Sequence, residues 1–358
     1  MRRDILEIDS SWSALPMQVP IHLQDVESLR VLLSGESVID WQRLALHTEA
    51  DVDRFLATHR LDVSDPVDRE RLRYVFNESV SYLEEHLRLR FPSELRDPDD
   101  VRRVFVWASQ RGGFRRTQIL SCVIVKLMHV INHMEAADLK FRLPVSEAQY
   151  LDLAHRRILE QAQQMQEMGL PTVAFYGSRK SRSSVITKLL AKEQAVAATI
   201  FDKLRYRVVV REHGDIAPTL AWLSREVFPF NYVIPGESHN NLLDPNELVR
   251  LLSDEERREA ASRPIQLDAA ARNEFSGASY RAINWIVDYP VRIPESVENR
   301  FVMELGRVVY VNVEFQLLDE ETSRRNERGE NAHSLYKARQ HRRVAARLKR
   351  GASGLDEP

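Results

Sequence analysis

The sequence predicts an α/β or α+β domain behind a mostly helical N-terminal half, and two observations carry that reading. In residues 1–145 the apolar residues recur mostly at helical spacing. Beyond residue 146, the apolar, β-rich runs 172–176, 204–210, 282–287 and 308–317 alternate with helical stretches. The length, 358 residues, suits two domains at roughly 150 residues each.

In the first half, 51–59 places Val52, Phe55 and Leu56 at helical spacing, and 68–89 does the same with Leu72, Val75, Phe76, Val80 and Leu83. Pro92, Pro98 and the acidic run 97–100 punctuate the next start, with Asp residues suited to an N-cap. Gly112 and Gly113 break the pattern, and a long helix is expected over 117–139, ending before Pro144. Its most apolar stretch, 119–125, is stopped by Lys126 and falls far short of the ~20 residues that span a bilayer. It reads as a buried helix, and no membrane partner is expected. Ser146 and Glu147 cap a helix expected to reach Met168, before Gly169 and Pro171. The strand 172–176, a Gly177-Ser178 turn and a helix with Val185, Leu189 and Leu190 follow.

Composition narrows the function. Lys plus Arg number 51 against 53 Asp plus Glu, a net charge of −2, which excludes a generally cationic nucleic-acid coat. Cys122 is the single cysteine, so neither an internal disulfide nor a Cys-based zinc site can form. A reducing cytoplasm is the expected compartment. The N-terminus has no continuous apolar segment of the kind a secretory signal needs.

Two strands have informative parity. In 308–317 the odd positions Val309, Val311, Val313, Phe315 and Leu317 are apolar, while Asn312, Glu314 and Gln316 alternate with them. In 203–211 the even positions are Leu204, Tyr206, Val208 and Val210, and the odd ones include Lys203, Arg205, Arg207 and Arg211. A cationic face on one strand and a carboxylate on another suit a metal–nucleotide site if they converge. Two half-solvated strands would show the same pattern.

Four segments, in order and spacing, resemble the synthetase domain of the RelA/SpoT family of alarmone pyrophosphokinases. Gly177-Ser-Arg-Lys-Ser-Arg-Ser-Ser-Val-Ile-Thr-Lys188 is similar to G-R-P-K-x-x-x-S-I-x-x-K, and Asp202-Lys-Leu-Arg-Tyr-Arg207 to D-L-x-x-x-R. Tyr280-Arg-Ala-Ile-Asn284 is placed like Y-Q-S-x-H. Glu314-Phe-Gln316, with Glu327-Arg-Gly329, Ala332-His333 and Tyr336-Lys337, keeps the spacing of E-x-Q-I-R-T…A-E-x-G-x-A-A-H-W-x-Y-K. The resemblance covers 146–340. It implies an α+β fold, a mixed β-sheet flanked by helices, and Mg²⁺-dependent transfer of ATP's pyrophosphate to the 3′-hydroxyl of a GDP/GTP-like nucleotide or of an RNA end. Residues 1–145 then form a helical N-terminal domain of unknown role, and 341–358 a basic helix end and tail.

The resemblance also distributes roles. Asp202 and Glu314 become magnesium ligands on adjacent strands, with Glu314 also able to activate the attacking hydroxyl. Arg179, Lys180, Ser184, Lys188 and Arg207 fall to ATP and its phosphates. Lys180, Ser184 and Lys188 would share one helix face, with Lys180 near the helix start, where N–H groups and the dipole favour anions. Lys188 reads equally as solvated or ion-paired, and Arg207 as stacked on a neighbour. Tyr280 is placed to stack the acceptor base, or as a core tyrosine, with Asn284 and Gln316 beside it. His333 and Lys337 read as structural. His129 and His133, one helical turn apart, have zinc-like spacing but no third ligand at motif spacing, so packing is expected. A homo-oligomer is compatible with all of this.

The chain departs from the pattern at Ser178, Asn284 and Leu318, where the family carries a basic residue, His and Arg. The stretch between Pro235 and Tyr280 is long, with a charged helical insertion over 244–272. Residues 321–350 hold ten basic residues against three acids, either a solvated face or a phosphate-backbone contact. Two functions remain open from the sequence: a divergent pyrophosphokinase, and a catalytically inactive nucleotide-sensing or protein-interaction module on the same fold.

Overall fold

The computed structural model describes residues 3–6, 19–35, 39, 41, 44, 46–110, 115–191, 203–261, 280–297, 300–327, 341–346 and 348. Asp202, His333 and Lys337 lie outside them. The helices of the first half are α1 (Leu23–Ser34), α2 (Glu49–Thr58), α3 (Pro66–Leu87), α4 (Ser93–Arg96), α5 (Arg102–Ser109) and α6 (Arg115–Arg142). Two of them, α2 and α3, start where a short polar side chain serves a first free N–H group. Thr48 accepts from Asp51 N at the head of α2, and Asp65 from Val67 N at the head of α3, where Pro66 fills the first turn. α6 is long and apolar enough to cross a bilayer on length and composition. Here its Ile124, Val125, Met128, Ala136 and Leu139 are buried in protein cores.

The second half begins with α7 (Glu147–Glu167), capped by Ser146 as expected. Then come β2 (Thr172–Arg179), α8 (Arg182–Ala191), β3 (Leu204–Val210), α9 (Ile216–Glu226), β4 (His239–Asn240), α10 (Pro245–Arg250) and α11 (Asp254–Ala261). β5 (Ile283–Arg292), α12 (Arg300–Leu305), β6 (Val308–Asp319) and α13 (Glu320–Asn326) follow. A short strand near the start of the chain, β1 (Arg3–Leu6), completes a six-stranded sheet in the order β1-β2-β3-β6-β5-β4. β3 and β6 run parallel and every other pair is antiparallel. The fold is α+β, a mixed sheet flanked by helices.

The odd face of β6 is buried as its parity predicts. Val309, Val313, Phe315 and Leu317 share one core with Tyr206 and Val208 of β3, Trp285 and Val287 of β5, and residues of α7 and α9. That core also takes in Val26, Leu29 and Leu32 of α1 and Ala136 and Leu139 of α6. A second core is built by α2, α3, α5 and the first part of α6, with Phe230 joining it. Arg292 of β5 ties the first core to the second through ion pairs with Asp65 (2.7 Å) and Asp68 at the start of α3, while Arg225 of α9 pairs with Asp25 of α1 within the first.

Two strands differ from expectation. β5 extends past Val287 through Pro290, which cannot donate to a ladder. Pro290 pairs with Tyr310 of β6, whereas β4 reaches only Asn284 and Ile283. At Pro290, β5 is therefore the described sheet edge, where a missing N–H is tolerated. Gly177-Ser178 is not a turn: β2 continues through it to Arg179. A Cβ on Gly177 would lie 3.0 Å from Tyr206 Cε1 and 3.4 Å from His155 Cε1, so the glycine gives room to the Tyr206 ring. Tyr206 Oη in turn lies 2.6 Å from His155 Nδ1 on α7.

Gly177→Val is expected to lower unfolding free energy by about 1–3 kcal/mol, the usual cost of overpacking, read by urea denaturation. A variant as stable as wild type would show that this close approach is not what selects glycine.

Candidate functional site

The parallel pairing of β3 with β6 sets the site. Arg205 stands opposite Glu314, and Arg207 opposite Gln316. On the other flank of β6, Asn284 of β5 pairs with Gln316, and His239 of β4 with Asn284. On β2, Ser178 pairs with Arg205 and Tyr176 with Arg207. The two polar faces read from the strands' parity are thus one face.

Its side chains form a connected network. Arg207 Nε donates to Gln316 Oε1 at 2.6 Å. Gln316 Nε2 donates to Tyr280 Oη and to Asn284 Oδ1, each at 2.6 Å. Gln316 is buried, so its amide is the fixed centre of this group. Arg207 Nη1 lies 3.9 Å from Glu327 Oε1, and Arg205 Nε lies 3.4 Å from Glu314 Oε1. The Glu314 carboxylate keeps 16% of its side-chain surface exposed. The structure thus brings together Arg207, Tyr280, Asn284, Glu314 and Gln316.

The phosphate-motif residues behave differently. Arg179 turns to the opposite side of the sheet, donating to Asp152 Oδ1 (2.7 Å) and the Ala148 carbonyl (3.2 Å) on α7. Alternation along β2 gives Ser178 the site face instead. Lys180 precedes α8 rather than starting it, and its N–H bonds the Lys203 carbonyl at 2.9 Å. It therefore cannot continue a helical stripe with Ser184 and Lys188, both of which lie in α8. Ser184 N–H donates to Ser181 Oγ at 3.3 Å, making Ser181 the capping side chain.

Sequence reasoning left two residues of this face out of the site. Arg205 was visible as a cation of the right parity, but no motif position singled it out. His239 sits on a two-residue strand, too short to leave a periodic signal.

The fit to a magnesium ion is partial. Mg²⁺ is usually held by one or two carboxylates plus substrate phosphates, and Glu314 supplies one hard oxygen donor here. Among the described residues no cluster of three or more His, Cys, Asp or Glu could hold a metal. His129 and His133 are packed instead. His133 lies against the Tyr310 ring, centroids 5.0 Å apart, with Nε2 3.2 Å from Asp288 Oδ2. Asn231 links His129 and His59, with contacts of 3.2 and 3.1 Å.

No protein-family profile matches the sequence, and no curated protein matches it. Among solved structures, small alarmone synthetase 1 from Bacillus subtilis bound to its product pppGpp is 15% identical over 56% of this chain and 86% of that one, with a TM-score of 0.32. Small alarmone synthetase 2 from Bacillus subtilis is 15% identical over 56% and 92%, with a TM-score of 0.28. A GTP pyrophosphokinase family protein from Streptococcus pneumoniae is 12% identical over 56% and 84%, with a TM-score of 0.29. These identities and scores are low, so the functional case rests on this chain's own residues.

The histidines beside the sheet make a pH prediction. Burial pushes His59 down from 6.5 to about 4, and burial followed by the neighbouring His133 and His59 pushes His129 down to about 3. Both are neutral when folded near pH 7, while the unfolded chain takes up their protons near 6.5. Their contribution to stability is complete above that value and is lost as pH falls toward about 4. Going from pH 7 to 5 should therefore cost about 2 kcal/mol per histidine, measured by urea unfolding at the two pH values. Equal stability at both would refute the neutral assignment.

Proposed function

We propose that the chain is a divergent nucleotide pyrophosphokinase, moving pyrophosphate from ATP to the 3′-hydroxyl of a nucleotide or an RNA end. The supporting observation is the in-register gathering of Arg207, Glu314, Gln316, Asn284 and Tyr280 on one sheet face, at positions that also carry the motif spacing, with Arg205 beside them. In the transfer, the acceptor oxygen bonds to the β-phosphorus, the bond from that phosphorus to the α–β bridging oxygen breaks, and AMP leaves. Phosphoryl chemistry of this kind is catalysed mainly by positioning and charge neutralisation. Arg207, aimed by Gln316, and Lys180 are the donors for the phosphates. Tyr280 offers a ring for the acceptor base. Glu314 takes the hydroxyl proton or holds the cation. Magnesium, held by Glu314 and by Asp202, would supply charge neutralisation on the phosphates.

A second reading is a nucleotide-sensing module without turnover. It is favoured by Arg205 being paired with Glu314 and by Arg179 being committed to α7.

Glu314→Gln separates the two. It retains size and removes the charge, and the pair it breaks is partly exposed, so melting temperature should barely change. Transfer from labelled ATP in magnesium, across a panel of nucleotides and RNAs, should drop by about 10²-fold or more. Wild-type transfer that survives the substitution would place the chemistry elsewhere. No transfer by wild type to any acceptor would favour the sensing module.

A further inference from the structure

Helix α6 is apolar on two sides. One side carries Ile124, Val125, Met128, Ala136 and Leu139 into the cores. The other carries Ile119, Val123, Val130, Met134, Ala137 and Phe141, which fall within about 60° of one another around the helix axis. Val123 is half-buried against the second core, and the other five are exposed, Met134 at 62% and Phe141 at 88%. The stripe runs about 33 Å along the helix, at ~1.5 Å per residue. Single exposed apolar residues are ordinary on a protein surface, whereas a contiguous apolar patch marks a contact.

The stripe fits a second copy of itself. Positions 119 and 141 are equally far from Val130, and so are 123 and 137. Two α6 helices crossing antiparallel at Val130 therefore set Ile119 of one copy against Phe141 of the other, and Val123 against Ala137. Each pair matches a larger side chain with a smaller one. The same reversal brings Lys126 opposite Met134. The Lys126 ammonium lies over the Trp41 ring, 4.8 Å from its centroid, which leaves the methylene stem as apolar surface. Exposed Arg116 falls level with Pro144 of the other copy, beside the carbonyls that end that helix, where a cation is favoured. A bilayer fits less well. A helix lying on a membrane sets its apolar face against a strongly charged one, but α6 buries its opposite face in protein, and the stripe's margins carry both signs, Lys126 and Asp138.

We propose that this stripe is a homodimer interface, in which two copies of the chain pair α6 against α6, antiparallel, about a twofold axis at Val130. A twofold contact requires a patch complementary to itself, and the reversed spacing supplies it. The footprint, roughly 33 by 10 Å on each copy, is smaller than the ~800 Å² per partner of a standard interface, so the dimer is of the weak, reversible class.

The test is sedimentation velocity on the full chain over roughly 1–300 µM, the range in which a micromolar Kd is crossed. The mass should rise from 41.5 kDa toward twice that value. Val130→Glu and Val130→Lys each place like charges face to face on the axis and should weaken dimerisation at least tenfold. Both residues are good helix formers at an exposed position, so the fold is kept. Mixed in equal amounts, the two variants should pair again, Glu against Lys. Ile186→Glu, an exposed apolar residue on α8, should dimerise like wild type. A mass that stays at 41.5 kDa throughout would overturn the proposal. So would a dimer that survives Val130→Glu, since its interface would lie elsewhere. Failure of the mixed variants to pair would overturn the twofold at Val130. Monomeric wild type that co-sediments with phosphatidylcholine–phosphatidylglycerol vesicles, and loses this in Val130→Glu, would give the stripe to a membrane instead.

Discussion

The register between two parallel strands is the constraint on which the rest depends. A strand has only two faces, and the core claims one of them. Phe315 of β6 stacks on Tyr206 of β3 at 5.7 Å and on Trp285 of β5 at 5.6 Å, between ring centroids. Those three rings can meet only if β3, β6 and β5 hold their observed alignment. The alternate residues then have no freedom: Arg205, Arg207, Glu314, Gln316 and Asn284 must share the opposite face. A one-residue slip would send Glu314 toward the aromatic core and Phe315 outward. The candidate site is positioned by apolar side chains that do not belong to it.

That polar face is shared with the helical half. Tyr310 and Asn312 have the same parity on β6 as Glu314 and Gln316, but helix α6 lies over them. Lys140 Nζ donates to the Tyr310 carbonyl at 2.8 Å, His133 stacks on the Tyr310 ring, and Asp288 takes both His133 and Asn312. One end of the face is thus roofed and the other holds the arginine–carboxylate group. The N-terminal half is part of what shapes the site's surroundings, because α1 and the end of α6 enter the same core as the sheet.

Much of this was legible in the sequence, and the reasons are physical. Period-two alternation in 308–317 and 203–211 reported burial directly, since a core residue must be apolar and its neighbour need not be. Ser146 and the apolar stripes announced α7, α3 and α2 for the same kind of reason. Gly177 misled because glycine has two meanings: a turn that needs positive φ, and a close approach that forbids Cβ. Only the Tyr206 ring, in contact through the β2–β3 pairing, distinguishes them. Arg179 was assigned by motif and is moved by alternation, which gives the site face to Ser178. The expected strand 282–287 stopped five residues short of the end of β5 at Arg292, because whether a strand can run through a proline such as Pro290 depends on whether it is at an edge, a fact that no local window contains.

The charges on the site face differ in how firmly they are held, and this orders their roles. The Arg205–Glu314 and Arg207–Glu327 contacts, at 3.4 and 3.9 Å, involve partly exposed side chains and longer distances than a tight charge-assisted hydrogen bond. Such pairs are worth little and open readily to a competing phosphate. The Arg207–Gln316 bond is short, and Gln316 is buried with both its amide atoms engaged. A ligand's phosphate can therefore displace Glu327 from Arg207 without disturbing the direction in which Arg207 points. Gln316 has no free atom left to touch that ligand, so it acts through its neighbours. It holds Arg207 on one side and Tyr280 and Asn284 on the other, and so fixes the separation between a phosphate donor and the groups that would meet an acceptor.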